Sequence, residues 1–294
     1  MFILRDEFVV SSFLGGAFPE FPNLSKFLNL LNLLIRFLLS VFSFPFFFLN
    51  FARLNARVMK IRLFTIPNCI TLCNLMCGIC SIVWSLVHND LQIAFAFVAA
   101  SAVFDFCDGL AARLLKQYSE VGVQLDSLAD MVSFGVAPAI AMSVLCGESS
   151  SVLGLSEEWA GYLCYVPFIV VALSALRLAK FNIDTTQKEE FEGLPTPASA
   201  ILLLSVAALC QREGLTIGLE WLCLLSVMVA MLLISPIRMF SFKFKSLRWG
   251  DNKLRYIFLA LAVVAICLLK LYAIPTIIVL YVLLSTVRWM MQKR

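Results

Sequence analysis

Charge is scarce in this chain. Only 14% of the 294 residues are Asp, Glu, Lys or Arg, against 61% apolar, and the mean hydropathy is +0.93. This excludes a soluble globular domain, and no nucleic-acid partner is expected. Regular alternation of apolar and polar residues is also missing, which excludes a transmembrane β-barrel. The apolar runs instead last about 17–25 residues, the length of membrane-crossing helices. Histidine is nearly absent. The single one, His88, falls in a connection on the side opposite the acidic window described below, so imidazole has no place among the candidate metal ligands. No internal repeat is visible of the kind that marks many transporters. No convincing secretory signal precedes the core, because the first apolar run is too long and no cleavage pattern follows it. Cysteine is plentiful, at ten, but most lie inside apolar runs. Cys69, Cys73, Cys77 and Cys80 share one helical stripe, and no second pair accompanies Cys77 and Cys80 at ligand spacing, so they serve packing.

What is present is an all-α pattern. The apolar stretches predict helices at 69–87, 91–113, 121–146, 159–180, 196–210, 217–236, 255–271 and 274–291, a polytopic integral membrane protein with about eight transmembrane helices. After Met59, sixteen Lys and Arg residues fall near the ends on one side, and Arg212 and Lys270 alone fall on the other. By the positive-inside rule both ends of this core face the cytoplasm, in the cytoplasmic (inner) membrane. The basic run Lys243, Lys245, Arg248, Lys253 and Arg255 suits an anionic inner leaflet.

Residues 1–58 read as an N-terminal extension to a functional unit at 59–294. Residues 27–51 are apolar enough to span but contain Asn29, Asn32, Arg36 and Pro45. A mid-span arginine costs about 2.5–3.5 kcal/mol. Met59 then opens "MKIRLFTIPN", a basic start directly before a good first helix. The extension is either dispensable, including an upstream start-site artefact, or an ordinary ninth helix.

The few intramembrane charges concentrate in "DFCDGLAARLLKQYSEVGVQLDSLAD", residues 105–130. Of 19 carboxylates, only Asp105, Asp108, Asp126 and Asp130 lie clearly inside apolar spans. Asp105 and Asp108 share one face of the second helix, continued by Gly109, Ala112 and Arg113. Gly122, Asp126 and Asp130 share one face of the third. A short connection makes these helices antiparallel neighbours, so the two acidic faces can meet. Asp105 lies about 21 Å along its helix from Leu91, at about 1.5 Å per residue, in the cytoplasmic part of the bilayer. Four carboxylates packed together repel one another unless cations sit between them. Oxygen-only ligands favour Mg²⁺ or Mn²⁺. Two such ions bridged by carboxylates suit in-line phosphoryl transfer, and one carboxylate can take a proton from the attacking hydroxyl.

The pattern D105-x2-D108-G109-x2-A112-R113-x8-G122-x3-D126-x3-D130 matches at every position the signature of the CDP-alcohol phosphatidyltransferase family, which this chain resembles. The resemblance implies that fold, two metal ions held by Asp105, Asp108 and Asp126 with help from Asp130, and Asp130 as general base. It implies that Gly109, Arg113 and Ser119 contact the CDP moiety, with Ala112 and Gly122 of the signature also among the CDP-lipid-binding residues. A glycine at 109 leaves room against the backbone, and Arg113 offers a fork-shaped cation to a diphosphate. Asn68, Thr71 and Asn74, polar at spacings of three on the first helix, either face the nucleotide or bond neighbouring helices.

Three further stretches resemble membrane-embedded bacterial phosphatidylserine synthases: "IPNCITLCNLMCG" (66–78), "DSLADMVSFGVAPA" (126–139) and "RLAKFNIDTTQKEEFEGLPTPAS" (177–199). That likeness implies CDP-diacylglycerol and L-serine as substrates, yielding phosphatidylserine and CMP by direct displacement. Such proteins tend to be homodimers. Arg177, Lys180 and Asn182 end the fourth helix, where cations also favour the helix dipole, and Thr196 sits in a Pro-fixed turn. These four are the candidate acceptor-binding residues. Two alternatives stay open: the same family with glycerol phosphate, inositol phosphate or a second phospholipid as acceptor, and a divalent-cation transporter. A non-catalytic scaffold would need the aspartates to be dispensable.

Overall fold

The apolar runs fold as helices in the computed structural model, which describes residues 63–184, 191–239, 249–269 and 272–292. Among these residues the order is α1 Ile66–His88, α2 Leu91–Leu114, α3 Glu120–Glu148, α4 Glu157–Ile183, α5 Thr196–Glu213, α6 Leu219–Leu233, α7 Trp249–Leu269 and α8 Ala273–Gln292. A helix occupies each expected stretch. By length and composition α1 to α4 and α8 can cross a membrane, whereas α6 and the Ala260–Leu269 part of α7 are shorter apolar helices. The protein is therefore an all-α polytopic membrane protein. Its described strands are β1 Phe191–Glu192 and β2 Arg238–Met239, antiparallel, with Phe191 opposite Met239. Thr65–Arg294 is one compact unit; of the other, Met1–Phe64, only residues 63 and 64 are described. The expectations for 1–58, Lys188 and the basic side chains at 243–255 lie outside the described residues and side chains.

Local chemistry sets the helix ends. Thr65 caps α1, its Oγ1 accepting from Asn68 N at 3.3 Å, and Pro67 in the first turn forfeits no helical hydrogen bond. Asp90 caps α2 by accepting from Gln92 N and Ile93 N, just after Asn89 turns the chain with φ +47°. Ser119 caps α3, accepting from Gly122 N at 3.0 Å. At the end of the bundle away from the acids, Gln211 of α5 clamps the α1–α2 turn. It accepts from Leu91 N at 2.8 Å and donates to the Asn89 carbonyl at 2.7 Å.

Within lipid, apolar attraction between helices is weak, and close packing of small side chains replaces it. Ala94, Ala137, Ala141, Ala200, Ala207 and Ala230 are accordingly fully buried, among larger core groups such as Phe97, Phe134 and Met142. Val103, Phe106, Leu110 and Leu114 instead form an exposed apolar stripe along α2, the opposite of its acidic face. α1 packs against both α2 and α3, and α5 supports α2, α3 and α8. α1 comes close to α3 at Gly78, where a Cβ would lie 2.7 Å from Ser133 Cα. α1 and α3 thus touch backbone to backbone.

Candidate active site

The expected acidic cluster forms. Oxygens of Asp105 and Asp108 from α2 and of Asp126 from α3 all lie within 4.8 Å of one another. α2 and the first half of α3 do not achieve this by packing tightly on each other. Each is braced against α1, and their carboxylates converge. Thr71 of α1 donates to Asp108 Oδ2 at 2.6 Å, fixing that carboxylate. Asp126 Oδ1 is buried without a hydrogen-bond partner, and no Lys or Arg among the described residues pairs with any of the four aspartates. A buried, unpaired carboxylate oxygen inside an oxygen-only donor set fits a hard divalent cation. No described His or Cys joins the set.

Asp130 stands one helical turn beyond Asp126, outside that trio. Its Oδ1 accepts from Asn74 Nδ2 at 3.1 Å, and its charge interacts with Asp105, Asp126 and Asp108. A π-helical stretch, Met131–Val136, follows it directly. Such bulges re-aim side chains and are frequent at functional sites.

The nucleotide-side candidates surround the mouth of the cluster. A Cβ at Gly109 would meet only Arg113 Nη2, at 3.8 Å, so the surface there is open. Arg113 is exposed and donates through Nε to the Gly109 carbonyl at 2.9 Å. Ala112 is half-buried one turn from Asp108. Gly122 has less room: a Cβ would lie 3.0 Å from both Asn68 Oδ1 and Ser119 Oγ. Asn68 is buried and helps α1 approach α3, and the hydroxyl of Ser119 is engaged as the α3 cap. Thr71 and Asn74 donate to Asp108 and Asp130 of the neighbouring helices.

The acceptor-side candidates gather at the end of α4. Arg177 donates from Nη1 to Thr196 Oγ1 at 3.3 Å, leaves Nε buried and unpartnered, and interacts electrostatically with Asp130. Asn182 donates to Ser127 Oγ at 2.8 Å, next to Asp126. Lys180 pairs with Glu192 at 2.9 Å. Arg177, Lys180, Glu192 and Ser235 line a cavity of about 240 Å³ walled by Leu233 and Ile234. The Gly193-Leu-Pro turn follows Glu192. Gly193 has φ +75° and donates to the Ile237 carbonyl at 2.9 Å, and a Cβ there would collide with the Leu233 backbone.

Several residues near the cluster escaped the sequence reading. Ser101 and Ser133 both contact Asn74, and Glu192 and Ser235 line the cavity. Ser101 lies one turn before Asp105 on the same helix face, so a search for polar residues at i−4 from each aspartate finds it. Ser235 carries no comparable periodic signal.

A sequence model of the CDP-alcohol phosphatidyltransferase family matches residues 64–234. Three relatives bear the name CDP-diacylglycerol–serine O-phosphatidyltransferase. That of Mycobacterium leprae is 36% identical over 61% of this chain and 59% of its own length. That of Bacillus subtilis is 35% identical over 52% of this chain and 81% of its own. That of Helicobacter pylori is 29% identical over 78% of this chain and 92% of its own. The matched stretch holds every aspartate of the cluster, the α1 face that braces them and the lining of the cavity beside Arg177 except Ser235, and on that ground the chain belongs to the CDP-alcohol phosphatidyltransferase family.

Proposed function

We propose that this protein transfers the phosphatidyl group of CDP-diacylglycerol to the hydroxyl of L-serine, giving phosphatidylserine and CMP. The observation that carries the reading is the trio Asp105, Asp108 and Asp126 with the unpartnered Asp126 Oδ1, inside the stretch matched to the family. Two ions, Mg²⁺ or Mn²⁺, held by Asp105, Asp108 and Asp126 with Asp130 at the edge, would supply charge neutralisation on the diphosphate and on the leaving CMP. The open backbone at Gly109 admits the nucleotide, and the exposed Arg113 guanidinium meets its diphosphate. Serine enters the cavity beside Arg177, whose guanidinium binds the amino acid's carboxylate. Asp130 accepts the proton of the serine hydroxyl as its oxygen bonds to the lipid-side phosphorus and the bond from that phosphorus to the CMP oxygen breaks. The lopsided Lys and Arg distribution supports an inner-membrane location with this site facing the cytoplasm.

An acceptor panel tests the substrate. Purified protein is given CDP-diacylglycerol and Mn²⁺ with serine, glycerol phosphate or inositol phosphate, and CMP release is followed. Serine alone should support turnover. Release driven by a phosphorylated alcohol and not by serine would keep the family and discard the acceptor.

A further inference from the structure

Asn74 is fully buried in the middle of α1, where a polar side chain is costly unless it is hydrogen-bonded. Every polar group it carries is engaged. Its side-chain oxygen accepts from the Ser101 hydroxyl of α2, and its backbone carbonyl lies 3.2 Å from Ser101 Oγ and accepts from Ser133 Oγ of α3 at 3.1 Å. Ser101 and Ser133 are themselves fully buried, and Ser133 is the residue pressed against Gly78. With the amide oxygen occupied by a hydroxyl donor, the amide NH₂ is turned toward Asp130 and donates to its Oδ1 at 3.1 Å. The second oxygen of Asp130 has no protein hydrogen bond among the described residues.

We infer that Asn74, held by Ser101 and Ser133, is a positioning residue that ties down one oxygen of Asp130 so that the other is presented to the acceptor hydroxyl. This rests on Asp130 being the base of the proposed reaction. A carboxylate held at one oxygen keeps a single orientation. A freely rotating one spends part of its time with neither oxygen aligned, and small misplacements at a reacting centre are costly. The two serines belong to different helices, so the same contacts that close the α1–α2–α3 junction also set the direction of the base.

The test is a double-mutant cycle on kcat with CDP and Mn²⁺ binding measured alongside by calorimetry. Asn74→Ala should lower kcat by about 10- to 100-fold, with the KM values and CDP binding changed less than about threefold. In an Asp130→Asn background the same substitution should cost less than about threefold more, because the group it orients is already gone. Ser101→Ala, which removes one buried hydroxyl, should lower kcat in the same direction by a smaller factor, and it stands in should Asn74→Ala not fold. Wild-type kcat in the folded Asn74 variant, or a full multiplicative loss on top of Asp130→Asn, would overturn the proposal. Wild-type turnover in Asp130→Asn alone would instead remove the base on which it depends.

Discussion

Asp126 and Asp130 sit one turn apart on α3, yet their surroundings differ. Asp126 has an orphaned oxygen beside two other carboxylates, whereas Asp130 accepts a hydrogen bond from an amide and interacts electrostatically with Arg177. The two should therefore fail differently. Asp130→Asn keeps shape and hydrogen bonding but cannot take a proton, so turnover should fall by about 10²–10⁴-fold while expression and membrane insertion persist. Asp126→Ala should abolish activity or shift the Mn²⁺ concentration needed for half-maximal rate upward, as read from metal titrations of the rate. Equal metal requirements in wild type and an active Asp126→Ala variant would separate Asp126 from the ions. The spacing of these aspartates was fully legible in the sequence, because a helix converts a separation of three or four into a shared face. Their individual partners were not, because Asn74 lies 56 positions from Asp130 along the chain.

At the scale of elements, α1 is the organiser. It contributes no carboxylate, but it carries Thr71 to Asp108 and Asn74 to Asp130, and it lies against Ser133 without a side chain at Gly78. Gly78→Ala should force α1 and α3 apart, since backbone rather than a flexible side-chain tip is in the way. Overpacking of this kind costs about 1–3 kcal/mol. A lower unfolding temperature in detergent, together with a reduced rate, is the expected result. A variant as stable and active as wild type would show that the junction tolerates the shift. The short connection led to the expectation that α2 and α3 are antiparallel neighbours whose acidic faces can meet, and those faces do converge. That α1 packs against both helices was not legible, because a short connection says nothing of which third helix braces the pair.

For the whole molecule, the family match covers residues 64–234 and Thr65–Arg294 is one compact unit, and we propose 59–294 as the functional unit. A chain of residues 59–294 should accordingly insert into membranes and keep its serine-dependent CMP release within about twofold of the full chain, a change of under about 0.5 kcal/mol in transition-state stabilisation. Failure of that chain to insert or to turn over would assign residues 1–58 a required part. Likewise, α5 to α8 hold no aspartate of the cluster. Glu192 of β1, Leu233 at the end of α6 and Ser235 just after it line the cavity beside Arg177, and α5 packs against α2 and α3.

The sequence by itself determined the membrane class, the order and approximate ends of the helices, and the register of the four aspartates. These follow from hydropathy and a 3.6-residue period, both of which are local properties of the chain. Tertiary structure alone decided which polar groups of α1 serve which carboxylate, how closely Gly78 admits Ser133, and that Glu192 and Ser235 share a cavity with Arg177. Such pairings join residues far apart in the chain, and their geometry depends on how close the packed helices come and at what rotation, which no local pattern encodes.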